Sequence, residues 1–145
     1  AKMGGECHAA LLGKGMDALA NELAEYGVKK VYVADDGALE HYVADAYAVA
    51  LSQIAKDKGA DVVIGTATAV GKDLLPRVAI RLDAGMASDI TGINDDGTVL
   101  RPLYAGNAIA TVKFESANKV ISVRAWRMSR EIVSSAMRLL FSISR

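Results

Sequence analysis

Cysteine is nearly absent from this 145-residue sequence. Cys7 stands alone, which excludes an intramolecular disulfide framework and agrees with a reducing compartment. It lies beside His8 with no partner at metal-ligand spacing, so no zinc site is expected. Proline is scarce, at two residues, and no stretch rich in Pro, Gly or Ser marks a linker. A length suited to one domain is therefore read as one. Net charge is missing as well. Seventeen basic residues balance seventeen acidic ones, leaving no overall field toward nucleic acid or acidic lipid. No apolar run approaches the roughly 20 residues of a membrane span, so an integral membrane protein is not expected. No secretory signal is visible, and the opening at Ala1 without an initiator methionine fits a trimmed or partial chain. The expected compartment is a cytosol or a matrix. What the sequence does have is apolar content, 52%, enough for a sizeable core.

The first ninety residues alternate short apolar runs with helical patterns. Residues 6–12 (ECHAALL) read as a strand, with His8 a satisfied packing residue within it. Residues 15–26 read as a helix presenting Met16, Leu19, Ala20 and Leu23, closed by Gly27. KVYVA at 30–34 is a second strand, and Asp35, Asp36 and Gly37 turn the chain. Residues 39–58 are read as helical with Leu39, Val43, Ala46, Ala50 and Ile54 as the buried stripe, either as one helix or as two pieces with a restart at Asp45. DVVIG at 61–65 is a third strand, apolar enough for burial on both faces of a parallel sheet. Residues 73–82 form a further helix. This rhythm predicts an α/β fold with right-handed crossovers.

From about residue 86 the pattern changes. DITGI and TVLRPLY read as two strands joined at Asp96-Gly97, a strong hairpin signal. NAIATVKF and KVISVRA follow as further strands. This half is expected to be an antiparallel elaboration of the parallel sheet.

Two glycine-bearing segments resemble phosphate loops. In VVIGTATAVGKDLLPRVA (62–79) a Walker A loop would need glycine at 66, where Thr66 stands, and Ser or Thr at 73, where Asp73 stands. The better reading makes Asp73 an N-cap and puts Pro76 in the first helical turn, with Leu74, Leu75, Val78 and Leu82 facing the core. LLGKGMDA (11–18) supplies Gly13-x-Gly15-x-x-Ala18 between a strand and a helix, and Asp35 ends the next strand. That spacing agrees with a dinucleotide site, the acid taking a ribose hydroxyl. The same glycines also suit any tight turn after an α/β strand.

No catalytic arrangement emerges from the other ionisable residues. His41 is read as a surface residue, and Asp95 and Asp96 as turn formers. Tyr26, Tyr32, Tyr42, Tyr47 and Tyr104 are read as core or half-buried. RPLYAGNA, bracketed by Arg101 and Asn107, is either a partner-contact loop or an ordinary connection. The tail at 127–145 repeats Ile132, Ala136 and Leu140 and, separately, Val133, Met137 and Phe141. With Arg127, Arg130, Arg138 and Arg145 against Glu131, it reads as a basic amphipathic helix that lies on an anionic surface or a partner, or, the favoured reading, as a terminal helix packed on its own domain or a poorly ordered end.

GGECHAALLGKGMDALANELAEYGVKKVYVADDGALEHYVADAYA is similar to the N-terminal domain of the electron transfer flavoprotein alpha subunit. GADVVIGTATAVGKDLLPRVAIRLDAGMASDITGI and RPLYAGNAIATVK strengthen the likeness, which runs from about residue 1 to 125. It implies a three-layer Rossmann-like sheet of the adenine nucleotide alpha hydrolase-like class with an antiparallel hairpin extension, over a domain at 1–126 and an unmatched tail at 127–145. It further implies a heterodimer with a beta subunit that holds a structural AMP in many members. In that assembly FAD carries electrons from acyl-CoA dehydrogenases toward a membrane quinone oxidoreductase, in the bacterial cytoplasm or the mitochondrial matrix. The FAD of the family belongs mainly to a C-terminal domain that this sequence lacks, so no cofactor is expected for this chain alone. A scaffold or partner-contact role transfers to Gly71, Lys72, Asp73, Pro76 and Arg77, and to Arg101, Pro102, Tyr104, Gly106 and Asn107. The likeness also implies no catalytic residues, and it lowers the NAD reading of Gly13, Gly15 and Asp35. Family members carry one more strand and helix ahead of the AKMGGE segment, and that strand lies within the sheet. Its absence is expected to leave strand edges exposed.

Overall fold

The computed structural model describes residues 5–24, 26–124 and 139–143. Three βα units lead the chain. Strand β1 (Glu6–Gly13) is followed by α1 (Asp17–Ala24), and β2 (Lys30–Asp35) by a 3₁₀ turn at Gly37–Leu39 and α2 (Ala44–Lys58). Strand β3 (Val62–Thr66) leads into α3 (Ala69–Arg81). Then come β4 (Gly85–Ile90), β5 (Gly92–Ile93), β6 (Val99–Leu103), a 3₁₀ turn at Tyr104–Gly106, β7 (Ala108–Val112), β8 (Lys119–Val123) and β9 (Leu139–Ile143). The main sheet has the order β2-β1-β9-β3-β8-β4, and β5-β6-β7 form a small antiparallel sheet.

Alternation along the strands assigns the two faces. Ala10 and Leu12 of β1, Val63 of β3 and Val120 of β8 pack with Leu51, Leu74, Leu75 and Val78 from α2 and α3. Ala9 and Leu11 point the other way, onto Leu23 of α1. Val62, Ile121 and Val123 meet Val99 of the small sheet, with Val112 and Phe114 beside them. One face therefore carries two helices, and the other carries α1 at one end and the small sheet at the other. The result is a three-layer Rossmann-like α/β fold with the antiparallel extension that the sequence implies.

Four expectations are corrected. The α3 helix begins at Ala69, not at 73. Thr68 is its N-cap, its hydroxyl accepting from the Gly71 amide at 3.1 Å, so Asp73 lies in the second turn and Pro76 falls inside the helix. The buried stripe of α2 is Tyr47, Ala48, Leu51 and Ala55, flanked by Ala46, Ala50 and Ile54. Leu39 is buried in the preceding turn, whereas Val43 is the N-cap residue and is exposed. Third, β4 and β8 belong to the main sheet, each parallel to its neighbour. Val120, Ile121 and Ser122 are fully buried, as a strand between two covered faces requires. Last, the tail helix does not extend over 139–143, where the chain is a strand hydrogen-bonded to both β1 and β3. LLFSI suits a strand as well as a helix locally, and two waiting sheet edges outweigh that local ambiguity. Residues 127–138 and 144–145 of the expected helix lie outside the described residues.

One close approach fixes how α3 meets β3. A Cβ on Gly71 would stand 1.9 Å from the Thr66 carbonyl oxygen, and a backbone atom has little room to step aside. Gly71→Ala is expected to lose about 1–3 kcal/mol of stability, the usual cost of overpacking. Gly37→Ala, with nothing within 4 Å of its added Cβ, should stay within about 0.5 kcal/mol of the parent. Urea denaturation of the two variants checks the contrast.

Candidate functional site

The carboxyl ends of parallel strands are where open α/β sheets meet their partners and ligands, and here that edge gathers a group of charged side chains. The β4 strand breaks register against β8 between Ala87 and Ile90, and Asp89 sits in the break with a φ of 59°. Aspartate is among the few residues that accept this left-handed geometry. The Asp89 amide donates to the hydroxyl of fully buried Ser122 at 2.8 Å. The Asp89 carboxylate takes a forked pair of hydrogen bonds from Arg124, Nε reaching Oδ1 at 3.1 Å and Nη2 reaching Oδ2. The Lys72 ammonium lies 3.9 Å from Oδ2.

Electrostatics follow from this geometry. The Arg124 hydrogen bonds hold the Asp89 carboxyl below its ordinary value, opposed by burial and aided by the charges of Arg124, Lys72 and Arg101. Three cations thus act on one carboxylate. Lys72 of the GKDLLPR stretch and Arg101 of RPLYAGN, two segments singled out by sequence, converge here. Asp89 and Arg124, which bring them together, were not singled out. The usable signals were a charge closing the β-branched run KVISVR and an aspartate just ahead of TGI.

Asp73 and Arg77 serve a different contact, toward α2. Tyr42 donates its hydroxyl to Asp73 Oδ2 at 2.8 Å, and Arg77 Nε donates to Asp73 Oδ1 at 3.3 Å. Arg77 Nη1 also reaches Asp45 Oδ1 at 3.1 Å. Burial, and then the hydrogen bond to Asp73, push the Tyr42 phenol up to about 12. The Tyr42 ring meets Tyr47 edge-on at 5.2 Å. These groups tie α3 to α2 and form no nucleophile–base pair.

The Gly13–Asp35 loop is arranged around itself. The Met16 amide donates to Asp35 Oδ2 at 3.0 Å, and Lys14 pairs with Glu40 at 2.8 Å. The Met16 side chain fills the space beside Gly13, 2.8 Å from where a Cβ would be, and Gly15 makes the turn at a φ of 70°. A dinucleotide needs a free acid for its ribose and free amides for its pyrophosphate. The acid and one amide are here bonded to each other, so the loop as arranged does not fit that group. His8 is buried within 3.0 Å of the Tyr32 hydroxyl. Among the described residues, no cluster of three His, Cys, Asp or Glu side chains is placed to hold a metal ion, and no helix is long and apolar enough to cross a membrane.

At the far end of the small sheet the β6–β7 turn projects apolar groups into solvent. Tyr104 is 81% exposed and Ile109 62%, with Leu103 beside them. Tyr104, Ala105 and Gly106 all have positive φ, and the Asn107 amide closes the turn onto the Tyr104 carbonyl at 3.1 Å. The expectation of a half-buried Tyr104 is corrected, whereas Tyr26, 49% exposed, is half-buried as expected. A three-residue turn has no interior in which to bury a ring.

Fold and surface together define a Rossmann-like domain equipped for packing and contact. Residues 1–137 match the family model described as the electron transfer flavoprotein domain, and the chain belongs to that family. It is 38% identical over 136 residues to the electron transfer flavoprotein subunit alpha of Thermoanaerobacterium thermosaccharolyticum, covering 90% of this chain and 41% of the relative. It is 41% identical over 123 residues to the same subunit of Pseudomonas aeruginosa, covering 84% and 39%. A third relative, 38% identical over 121 residues and covered at 80% and 29%, is the LctC subunit of a lactate dehydrogenase (NAD(+),ferredoxin) of Acetobacterium woodii. The chain spans about two fifths or less of the length of these relatives.

The Asp89–Arg124 pair carries a pH signature. With its folded pKa below the unfolded value near 3.9, Asp89 contributes stability that is present above that value and lost as pH falls through the folded one. Asp89→Asn keeps a residue that tolerates positive φ and removes only the charge. The stability difference between parent and variant is expected to be constant from pH 7 to about pH 5 and to shrink below about pH 4. Urea titrations at stepped pH measure it.

Proposed function

We propose that this chain is the scaffold domain of an electron transfer flavoprotein alpha subunit, docking on a beta subunit and helping to seat the FAD-bearing part of the assembly. The observation that carries the reading is the family match over residues 1–137. Supporting it, the charged groups at the sheet edge are built into contacts between elements, and the β6–β7 turn offers an apolar tip. In this reading the whole assembly moves electrons through FAD, taking them from acyl-CoA dehydrogenases and passing them to a quinone oxidoreductase. The chain supplies no catalytic residue of its own and binds no cofactor unaided. Lys72, Arg101, Tyr104 and Asn107 serve partner contact, while Gly71, Asp73, Pro76 and Arg77 hold the scaffold. The compartment that goes with this reading is the bacterial cytoplasm or the mitochondrial matrix. The rival is a domain that binds NAD or another adenine nucleotide through Gly13, Gly15 and Asp35.

Calorimetry separates the two readings. The chain is expected to bind electron transfer flavoprotein beta subunit and to give no heat with NAD or AMP. Tyr104→Asp should weaken the beta-subunit contact at least tenfold, about 1.4 kcal/mol, and leave the thermal midpoint unchanged because the ring is exposed. Silence with the beta subunit, in the presence and absence of FAD, would overturn the scaffold reading. Micromolar NAD or AMP binding that disappears in Gly15→Val would establish the rival.

A further inference from the structure

The helical layer carries a hollow that a scaffold does not need. On α2, Val49, Ser52, Gln53 and Lys56 recur at helical spacing and form one stripe. With Arg81, from the last turn of α3, they line a hollow of about 310 Å³. Ser52 is only 4% exposed, and among the described residues its Oγ is the one buried side-chain oxygen or nitrogen without a hydrogen-bond partner. Buried hydroxyls are ordinarily paired, so an orphan in the wall of a cavity points to a ligand that completes the bond.

The charges that line this hollow are of one sign. Among the described residues, neither Lys56 nor Arg81 enters an ion pair. Asp57, the acid next to Lys56, takes a hydrogen bond from Gln53 Nε2 at 2.7 Å. That amide keeps a second hydrogen to give. Cations in the last turn of a helix answer its dipole, which alone would account for their presence. It would not gather them around a cavity with an unmatched hydroxyl. A second hollow, of about 280 Å³, shares Lys56 but has Asp61 in its wall. A carboxylate there opposes an anion, so the first hollow is the one suited to negative charge.

Two cations match a doubly charged oxyanion, Arg81 can offer its fork to two oxygens, and Ser52 and Gln53 add neutral donors. At roughly 30 Å³ per water the hollow holds about ten waters, more than a bare phosphate fills. Val49, 50% exposed, gives the remaining space an apolar wall. We propose that the hollow between α2 and α3 binds a small phosphomonoester, its phosphate on Lys56, Arg81 and the Ser52 hydroxyl and its short carbon chain against Val49. The site is built within residues 49–81, and neither end of the chain contributes to it. For a small ligand in an open hollow the expected Kd is on the order of a millimolar. Titrations at micromolar NAD or AMP do not register binding of that strength.

Amide shift mapping with glycerol phosphate, at constant ionic strength, tests the site. Saturable shifts are expected over residues 49–56 and at Arg81. Affinity is expected to fall about tenfold or more in Lys56→Gln and in Arg81→Gln, and roughly tenfold in Ser52→Ala, which removes a hydrogen bond to a charged group. Ser52→Ala also removes an unpaired buried hydroxyl and should keep or raise the thermal midpoint, so binding lost there is not folding lost. Lys58→Gln, in the same last turn but outside the hollow, should bind as the parent does. Glycerol is expected to be silent, and inorganic phosphate weaker than the ester. Shifts that never saturate, or an equal loss in Lys58→Gln, would reduce the effect to general screening of charge and overturn the site. Inorganic phosphate bound as tightly as the ester overturns the assignment to an ester. Unchanged affinity in Ser52→Ala overturns the part given to the hydroxyl.

Discussion

Strands β1 and β3 do not touch, and the backbone hydrogen bonds that join the two halves of the main sheet run through Leu139–Ile143. Remove those bonds and the sheet divides into a β2-β1 pair with α1 and a β3-β8-β4 unit with α3 and the small sheet. The helical layer still bridges the two, since Ala10 and Leu12 share a core with Leu51, Leu74 and Val120. Side-chain packing alone would then hold β1 beside β3, with amides on both inner edges unsatisfied. The architecture thus rests on one short strand placed where two edges would otherwise face each other.

Much of this architecture was legible in the sequence, for reasons that differ along the chain. KVYVA and DVVIG announce strands because their apolar runs are short and bounded by turn residues, and LLPRVAIRL announces a helix face through Leu74, Leu75, Val78 and Leu82. Asp96-Gly97 marks its hairpin through local turn geometry. What failed depended on a side-chain contact at the start of α3 and on distance elsewhere. The start of α3 was hidden because Thr68 reads as one more small polar residue until its hydroxyl is seen to take the Gly71 amide. Strand β8 was assigned to the extension because its β-branched composition fixes a strand without fixing its neighbour. Strand β9 was missed because Leu140 and Phe141 fit a helical repeat locally. Only the partnerless edges of β1 and β3, far away in sequence, decide against it.

The site divides along the same line. Gly71, Lys72 and Arg101 lie in segments whose text is distinctive, and the structure gives each a physical role, close approach at Gly71 and charge around Asp89 at the other two. The pair at the centre of that charge, Asp89 and Arg124, could not be read. A single arginine after KVISV and a single aspartate before TGI carry no spacing rule, and the left-handed backbone of Asp89 follows from a break in register that no local pattern announces. Conversely the Gly13–Asp35 spacing suggested a ligand site, and the structure turns that acid onto the amide of its own loop. Spacing reports that residues are within reach of one another, and it does not say which of them are already bonded.

Strand β9 also sets a kinetic condition. Glu6 pairs with Ile143 and Ala10 with Leu139, so nearly the whole described chain lies inside the loop that this pairing closes. Closing so large a loop is among the slowest classes of native contact to form, while the βα units and the hairpin need only near neighbours. By chain separation alone, the central seam is thus the contact with the largest entropy of closure in the main sheet.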